Sequence, residues 1–457
     1  MHRRSTCSEA ASSHEGSNLQ RRELSEPVSR QSFPTVHEPI RGTVSVPGSK
    51  SVSNRALVCA ALASQPSRVE GVAEGDDTMR MVAGLGTLGA KIELAGTSVH
   101  VGSGVQRNSG VDATIDAGLA GTTSRFLTAV AAVCERVTVV TGAASLQRRP
   151  MGELHDLLRA MGANVASERE GYLPVTVSRG AMRTADMHQL EARGDVSSQF
   201  VSGVMMIAPL CGGVELRLTG SVVSAGYIEM TASVMRSFGA AVRVDEGARG
   251  LVVFVSPGEY RGTQYRVDAD WSSASYPFAA VALTGGEVLV RGLRTDSSQP
   301  EVAFAGVLEQ MGCKVHTDAE GVRLSRESTH ALRGVDVDMS EISDLVPTLA
   351  VLGACAEGVT RIRGVGFIRA KESDRLGDLA NELNKCGVDV SVEDDGLTIR
   401  GGALRSAVVY PHHDHRLAMS IALLSLRQGG IVIDDADVVA KSWPSYWAAM
   451  RSGLTLG

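Results

Sequence analysis

The chain has 457 residues, of which 43% are hydrophobic and 4% aromatic, and its formal net charge is −6. This length predicts two or three domains, and the ordinary apolar content excludes disorder over most of the chain. The acidic balance argues against a general nucleic-acid binder, and no apolar run approaches the roughly 18 residues that would span a membrane.

Residues 1–34 differ from the rest, because they are rich in Ser, Arg and Glu and show no apolar periodicity. We predict a disordered N-terminal tail. No apolar stretch of a secretory signal is present, and the acidic residues argue against a transit peptide. Seven cysteines occur without a C-x-x-C pair, which favours a reduced, cytoplasmic protein.

A pattern of about 75 residues recurs: an amphipathic helix ends in glycine, and two short alternating strands follow. Glycine suits the end of a helix because it accepts positive φ. These glycines are spaced 73, 77, 73 and 75 residues apart: Gly89, Gly162, Gly239, Gly312 and Gly387.

A sixth helix, at residues 444–451, has no strand after it, and we expect residues 42–46 to supply that strand. Six α/β units of one type predict two similar halves of three units each, with the two chain ends together in one half. A solenoid is the alternative.

The first segment that carries chemistry is PGSKSVSNR, residues 47–55. It places Lys50, Ser51 and Arg55 at the start of an apolar helix, where free backbone N–H groups and the helix dipole favour an anion. The P-loop pattern is absent. The alternative is a capped helix with surface cations.

Similar strand-to-helix turns follow along the chain. They are AGTTSRF (120–126), RRPM (148–151) and GDVSSQF (194–200). Gly121 lets a ligand approach the backbone. The neutral donors and acceptors Ser197, Ser198 and Gln199 suit hydroxyls and phosphate oxygens. Each of these segments is also compatible with an ordinary helix cap.

The C-terminal third contains four more segments. Asp344 opens an apolar helix, either as an N-cap or as a buried base. The run FIRAKESDRL (367–376) is either a solvated loop or a clamp of cations and carboxylates. In HHDHRLAM (412–419) a metal site is disfavoured, and we expect Asp414 and His415 to orient Arg416. Lys441 precedes the last helix.

Cations therefore recur at strand-to-helix turns of both halves. If these turns face one cleft, the cleft would hold strongly anionic substrates despite the acidic total charge. The cations are Lys50, Arg55, Arg125, Arg149, Lys371, Arg375, Arg416 and Lys441.

Together these motifs make the chain similar to the 5-enolpyruvylshikimate-3-phosphate synthase family over residues 37–451. The resemblance implies an α/β fold of two similar domains, each an inside-out α/β barrel of three βαβαββ units, with the active site in the interdomain cleft. Domain I would comprise residues 35–48 plus 269–457, and domain II residues 49–268. The motifs that carry it are PGSKSVSNRAL, LAGTTSRFL, RRPMGEL, SSQFVSG, RAKESDRL, DHRLAMS and AKSWP.

The resemblance also implies a role for each matching residue. Asp344 would accept a proton, and Glu372 or Lys50 would donate one. Shikimate 3-phosphate would contact Lys50, Ser51, Arg55, Ser197, Ser198, Gln199, Ser224, Tyr227, Asp344 and Lys371. Phosphoenolpyruvate would contact Lys50, Gly121, Arg149, Gln199, Arg375, Arg416 and Lys441.

The implied reaction joins the 5-hydroxyl of shikimate 3-phosphate to phosphoenolpyruvate through a non-covalent tetrahedral intermediate and releases phosphate. It belongs to the shikimate pathway of aromatic amino acid biosynthesis and needs no cofactor and no metal. We expect a monomer whose partners are these two substrates, with no nucleic acid and no membrane.

Two residues depart from the family pattern. Leu119 stands where many members have Asn, and Phe367 stands where many have a polar shikimate contact. They favour one alternative, an enolpyruvyl transferase acting on another hydroxylated acceptor. A non-catalytic binding paralogue is the other alternative, and the presence of Asp344, Glu372 and all the matching cations argues against it. Gly121 would leave room for the inhibitor glyphosate, which competes with phosphoenolpyruvate.

Overall fold

The computed structural model describes residues 29–195, 197–247 and 250–456. Most of the predicted tail, residues 1–28, lies outside these ranges. The strands are β1 (Arg30–Gln31), β2 (Ile40–Val44), β3 (Ser67–Glu70), β4 (Lys91–Ala95), β5 (Ser98–Ser103), β6 (Ala113–Asp116), β7 (Thr138–Thr141), β8 (Asn164–Ser167), β9 (Val175–Ser178), β10 (His188–Arg193), β11 (Val214–Thr219), β12 (Val242–Gly247), β13 (Gly250–Val255), β14 (Gln264–Arg266), β15 (Gly286–Arg291), β16 (Lys314–Thr317), β17 (Gly321–Arg326), β18 (Asp336–Asp338), β19 (Val359–Arg363), β20 (Asp389–Glu393), β21 (Gly396–Arg400), β22 (Ala407–Val409) and β23 (Ile431–Asp434).

The helices alternate with these strands. They are α1 (Lys50–Leu62), α2 (Asp76–Thr87), α3 (Gly121–Ala131), α4 (Ala144–Gln147), α5 (Gly152–Ala160), α6 (Ser198–Ile207), α7 (Ala225–Ser237), α8 (Trp271–Thr284), α9 (Phe304–Gln310), α10 (Val346–Ala354), α11 (Gly377–Lys385), α12 (His415–Ala422) and α13 (Tyr446–Gly453). Short 3-10 segments occupy Ala208–Cys211, Pro300–Ala303, Ser343–Leu345, Gly366–Ala370, Leu423–Leu426 and Ala436–Lys441. Within the described residues, no helix combines the length and the apolar character needed to cross a bilayer.

The predicted repeat is confirmed at its glycines. A positive φ between 88° and 101° lets each helix end there without a Cβ clash, and these residues are Gly89, Gly162, Gly239, Gly312 and Gly387. The four-stranded sheets share one strand order, of which β6-β7-β9-β8 is an example. In that sheet β6 and β7 run parallel, and β9 runs antiparallel to both β7 and β8.

Each half of the molecule keeps its most apolar helices inside and its sheets outside. Helices α1, α3 and α6 contact one another, as do α10 and its neighbours α8 and α12. Helix α8 is buried along nearly its whole length. One hydrophobic core uses residues between Val52 and Val267. The other uses Phe33, Ile40 and Val44 together with residues from Trp271 to Leu456.

The N-terminal segment corrects two predictions. The last unit is closed by β1, which pairs antiparallel with β23, and not by residues 42–46. Strand β2 instead pairs parallel with β15. Residues 30–34, predicted to belong to a disordered tail, are tied to the fold because Phe33 is 3% exposed and stacks against Tyr446 and Trp447. The two ends of the described part of the chain therefore meet, and the solenoid alternative is wrong.

The chain crosses between the two cores twice, after β2 and after β14. The two crossings lie side by side, because Ser49 N donates to Asp268 O and Asp270 N donates to Pro47 O, both at 2.9 Å. Gly48 sits in this contact, and a Cβ there would lie 1.7 Å from Gly71 O. Only glycine at this position permits so close an approach of the Gly48 backbone to the carbonyl of Gly71.

Candidate active site

A cavity of about 470 Å³ lies between the two cores. Helices α1, α3 and α6 point their N-termini towards it, since Lys50, Gly121 and Ser198 are their first residues and all line the cavity. Unpaired N–H groups at helix starts favour anions. The predicted site residues that line the cavity are Lys50, Ser51, Arg55, Gly121, Arg149, Ser197, Ser198, Gln199, Ser224, Tyr227, Asp344, Lys371, Glu372, Arg375 and Arg416.

The predicted residue Lys441 lies at the back of the wall. Its Nζ is 3.0 Å from Asp77, which lines the cavity, and 3.9 Å from the carboxylate of Glu372. Lys441 itself lines a second cavity on the other side of Asp77. Asp77 therefore separates the two cavities and pairs with a cation from each half.

Asp344 is the centre of the cation cluster. Its Oδ1 accepts from Lys371 Nζ and Arg375 Nη1 at 2.8 Å, and its Oδ2 accepts from Arg416 Nη2 at 2.7 Å. Burial alone would raise the pKa of Asp344, but Arg416, Lys371 and Arg375 outweigh burial and hold this pKa well below its ordinary value. The carboxylate does not accept a helix N–H, so the N-cap alternative is wrong.

Glu372 lies beside a second group of cations. Its Oε2 accepts from Arg375 Nη2 at 2.8 Å, and its Oε1 is 3.8 Å from Arg149 Nη1. Burial would raise the pKa of Glu372, but Arg375, Arg149 and Lys441 outweigh it and hold the pKa well below its ordinary value. Without substrate the carboxylate is therefore ionised.

Asp414 fixes the arginines of this cluster. It is fully buried and accepts from Arg375 Nε at 2.7 Å, and its other oxygen caps α12 by accepting from Arg416 N at 2.9 Å. Asp414 thus fixes the backbone of Arg416, whereas the guanidinium of Arg416 is held by Asp344, and the orientation of Arg416 by Asp414 and His415 together stays a prediction. His415 is also buried, but neither of its ring nitrogens makes a hydrogen bond to a described residue.

The histidine-rich turn does not form a metal site within the described residues. His412 Nε2 pairs with Glu382 at 2.9 Å, whereas His413 Nε2 contacts the hydroxyl of Tyr410 at 2.9 Å. Both rings lie against the ring of Tyr410, at 5.1 and 5.6 Å between centroids, but they hydrogen-bond to different partners.

Asp77 is a site residue that sequence reasoning missed. Its Oδ2 accepts from Lys50 Nζ at 2.9 Å and its Oδ1 from Lys441 Nζ at 3.0 Å. Burial would raise its pKa, but Lys441 and Lys50 outweigh burial and lower it. Asp77 follows Gly75 at the start of α2, which is the same kind of turn as the others. The pattern at the other turns consists of Lys and Arg, so the turn before α2, which contains Asp76 and Asp77, does not match it.

The opposite wall of the cavity is mostly neutral. Arg55, 2% exposed, is held there by hydrogen bonds to Ser51 O, Ser202 and Thr231, and burial lowers its pKa to about 10. Its guanidinium also lies between the rings of Phe126 and Tyr227, at 5.2 and 5.9 Å from their centroids. This wall presents hydroxyls and one amide beside the buried cations Arg55 and Arg125.

Arg125, named in the cation pattern but given no role, also lines the cavity. Its Nη1 donates to Gln199 Oε1 at 2.5 Å, and its guanidinium lies over Phe200. Burial, with Arg149 nearby, lowers the pKa of Arg125 to about 9. It therefore fixes the side-chain amide of Gln199 inside the cavity.

The two departures from the family pattern lie in different places. Phe367 lines the main cavity, and Lys371 Nζ is 5.8 Å from its ring centroid. Leu119 contributes its carbonyl, which accepts from Lys441 Nζ at 2.8 Å, while its side chain is 40% exposed. Lys441 is thus positioned by a backbone oxygen, which any residue at position 119 would supply.

Comparison with known proteins gives one consistent result. The family described as EPSP synthase (3-phosphoshikimate 1-carboxyvinyltransferase) matches residues 34–450. A 3-phosphoshikimate 1-carboxyvinyltransferase of Syntrophobacter fumaroxidans is 42% identical over 417 residues, which cover 90% of this chain and 97% of the relative. The protein of that name from Methanothermobacter thermautotrophicus is 40% identical over 407 residues, 89% of this chain and 94% of the relative.

A solved structure is similar over nearly the same length. The EPSP synthase of Acinetobacter baumannii superposes with a TM-score of 0.75 at 26% identity, covering 93% of this chain and 98% of that one. The similarity therefore includes both cores and the cavity between them.

Proposed function

The chain belongs to the EPSP synthase family of transferases in the shikimate pathway, and we propose that its interdomain cavity transfers the carboxyvinyl group of phosphoenolpyruvate to the 5-hydroxyl of shikimate 3-phosphate. The observation that carries this proposal is the pairing of Asp344 with Lys371, Arg375 and Arg416 in one buried cluster. Such a cluster offers both a base and the cations that two anionic substrates require.

Phosphoenolpyruvate binds among Arg149, Arg375, Arg416, Lys441 and Lys50, with Gln199 and the backbone of Gly121 completing the subsite. A Cβ on residue 121 would lie 2.7 Å from Arg149 Nη1. Glycine therefore leaves the guanidinium of Arg149 free to meet the anion. Planar guanidinium groups bind carboxylate and phosphate oxygens in pairs, which fixes the orientation of the substrate.

Shikimate 3-phosphate binds along the neutral wall. The hydroxyls of Ser197, Ser198 and Ser224 hold its phosphate, with Lys371 as the counter-charge. Arg55, Ser51 and Lys50 bind its ring carboxylate, and Tyr227 packs beside the ring. Gln199 contacts both substrates. Its position is supported by the hydrogen bond from Arg125.

Binding changes the state of Asp344. Without substrate, three cations hold its pKa well below the ordinary value, so it is a weak base. Substrate anions compete for Lys371, Arg375 and Arg416, and the loss of these ion pairs raises the pKa of the remaining buried carboxylate. Asp344 becomes a competent base only when both substrates are present.

The chemistry then proceeds in two steps. In the first, the 5-oxygen forms a bond to C2 of phosphoenolpyruvate, Asp344 takes the hydroxyl proton, and C3 takes a proton from Glu372 or Lys50. In the second step, C3 returns a proton to the group that donated it. The bond from C2 to the phosphate oxygen breaks, and phosphate leaves with the electron pair of that bond. Glu372 must be protonated to donate, which the binding of anions to Arg149 and Arg375 favours by removing its cationic neighbours.

An enzyme for another hydroxylated acceptor is the second candidate, and Phe367 is the observation that favours it. An aromatic ring at the cavity wall removes one hydrogen bond to a polar acceptor. Phosphate release is therefore measured with phosphoenolpyruvate and either shikimate 3-phosphate, shikimate or UDP-N-acetylglucosamine. We expect release only with shikimate 3-phosphate. Release with another acceptor alone would favour the second candidate, and none with any acceptor would favour a binding paralogue.

Three finer assignments complete the proposal. The domain limits are residues 30–48 plus 269–457, which include the docked Phe33, and residues 49–268, and the two separate cores support this division. The monomer is supported because the residues assigned to both substrates come from one chain. A cytoplasmic location is supported by free cysteines, which among the described residues are Cys59, Cys134, Cys211, Cys313, Cys355 and Cys386.

A further inference from the structure

The first turn of α7 is docked against a segment of the other domain. This segment joins β18 to the 3-10 turn that contains Asp344. Ala225 N donates to Glu341 Oε1 at 3.1 Å, and Gly226 N donates to Glu341 Oε2 at 2.8 Å. Ser224 Oγ donates to Ser340 O at 3.4 Å. Two consecutive residues of domain I thus bind three consecutive residues of domain II.

Helix α7 requires this external cap. The first N–H groups of a helix have no intrahelical partner, and Ser224, with φ 57°, does not cap α7 with its own side chain. Glu341 supplies both acceptor oxygens, so its orientation is fixed. A carboxylate at a helix N-terminus is also stabilised by the helix dipole.

The contact between α7 and domain I brings the two backbones close together. A Cβ on Gly226 would lie 2.7 Å from Pro300 Cβ and 3.5 Å from Glu341 Oε2. One residue further along, the hydroxyl of Tyr227 donates to Glu301 of the segment Pro300–Ala303. The turn from Ser224 to Tyr227 is therefore held by domain I at both of its ends.

Glu341 does not itself line the substrate cavity, whereas Ser224, Tyr227 and Asp344 do. It lies behind the wall, three residues before the base. We propose that Glu341 is a positioning residue whose carboxylate latches domain I onto α7 in the closed molecule. The latch sets the distance between Asp344 and a shikimate 3-phosphate held by Ser224 and Tyr227. This inference rests on the proposed function.

The test compares Glu341→Ala and Glu341→Gln with the wild type. The control is Asp336→Asn in the adjoining strand, because Asp336 is exposed and its ion pair among the described residues is with Arg363 on the surface. We expect Glu341→Ala to raise KM for shikimate 3-phosphate about tenfold, since two charge-assisted hydrogen bonds are lost. Glu341→Gln retains one acceptor oxygen, so its KM for shikimate 3-phosphate should lie between those of the wild type and Glu341→Ala. KM for phosphoenolpyruvate at saturating shikimate 3-phosphate should change less than threefold.

Small-angle X-ray scattering on the same proteins, with and without shikimate 3-phosphate, measures closure independently of turnover. We expect Glu341→Ala to have the larger radius of gyration and the control to match the wild type. Kinetics and scattering of Glu341→Ala indistinguishable from wild type would overturn the latch, as would a loss of kcat alone with unchanged closure. A wild type without turnover contradicts the proposed function, while its scattering against Glu341→Ala still decides the latch.

Discussion

Single carboxylates organise the cations of this cavity. Asp344 pairs with three cations, Asp77 with two and Glu372 with the guanidinium of Arg375. In the proposed mechanism, an anionic substrate would therefore not enter a bare positive cleft but would replace these internal partners. This exchange would lower net affinity and would free Asp344 to act as the base.

Replacing Asp344 separates binding from chemistry. Asp344→Asn removes the base and also frees Lys371, Arg375 and Arg416 from their internal anion. We expect kcat to fall by about two to four orders of magnitude, while phosphoenolpyruvate binds as tightly as in wild type or more tightly. Steady-state kinetics and calorimetric titration measure the two effects. Near-wild-type kcat would show that Asp344 only neutralises the cluster.

Asp77 and its neighbour provide a matched pair of variants. Asp77→Asn removes the partner of Lys50 and Lys441, so we expect KM for phosphoenolpyruvate to rise about tenfold because both ammonium groups lose their positions. Asp76→Asn changes an exposed acid in the same turn and should leave KM unchanged. Equal effects of the two substitutions would contradict the assigned role.

Glu301 gives the molecule a pH dependence of known sign. Burial raises its pKa to about 7 from an ordinary 4.5, so the folded state binds more protons than the unfolded state between these values. The stability contributed by Glu301 is thus present below pH 4.5 and is lost as pH rises through 7, by about 3 kcal/mol in total.

The measurement is urea denaturation of wild type and Glu301→Gln at pH 5 and pH 8. Glutamine does not titrate, so the stability of wild type relative to the variant should be greater at pH 5 than at pH 8. The same difference at both pH values would show that the carboxyl titrates alike in the folded and unfolded states.

Among individual residues, the sequence predicted the cations and their carboxylate partners Asp344, Glu372 and Asp414, but not Asp77 or Glu341. Lys50, Arg375 and Arg416 stand at strand-to-helix turns, which local patterns reveal. Asp77 and Glu341 act through partners more than 100 residues away, Lys441 and Ala225. No spacing rule links such distant positions, so they required coordinates.

At the scale of elements, the periodic units were predictable and the closing strand was not. Glycine at each helix end and the alternation after it identify the repeat from local chemistry. Strand β1 has two residues, Arg30 and Gln31, and pairs with β23 some 400 positions later. Two residues are too few to show the alternation of apolar and polar side chains that predicts a strand. The polar composition around them predicts a disordered tail instead.

Phe33 tests whether this N-terminal segment contributes to stability. It is 3% exposed between Tyr446 and Trp447, so Phe33→Ala should lower the free energy of unfolding by about 3 kcal/mol. Val408, in strand β22 of the sheet that β1 joins, is 51% exposed, and Val408→Ala should change the free energy of unfolding by less than about 0.5 kcal/mol. Chemical denaturation measures both. A decrease in the free energy of unfolding of Phe33→Ala no larger than that of Val408→Ala would contradict a stabilising role for the N-terminal segment.

At the scale of the whole molecule, the acidic total charge and the cationic cavity coexist because the cations are concentrated between two domains. The two crossings are joined by a bridge between Gly48 and Ala269, so any relative movement of the two domains would pivot about this one paired segment. Separation of the domains would part Asp344 and Lys371 from Ser224 and Tyr227. In the proposed mechanism, closure of the domains would therefore also assemble the site.

The most direct test of this account is a crystal structure with shikimate 3-phosphate and glyphosate, the unreactive competitor of phosphoenolpyruvate. We predict that Arg375 and Arg416 contact glyphosate, that Lys371 contacts shikimate 3-phosphate, and that a freed Asp344 oxygen lies within about 3 Å of the 5-hydroxyl. Both ligands bound outside the cavity, with Asp344 still paired to its three cations, would contradict the account.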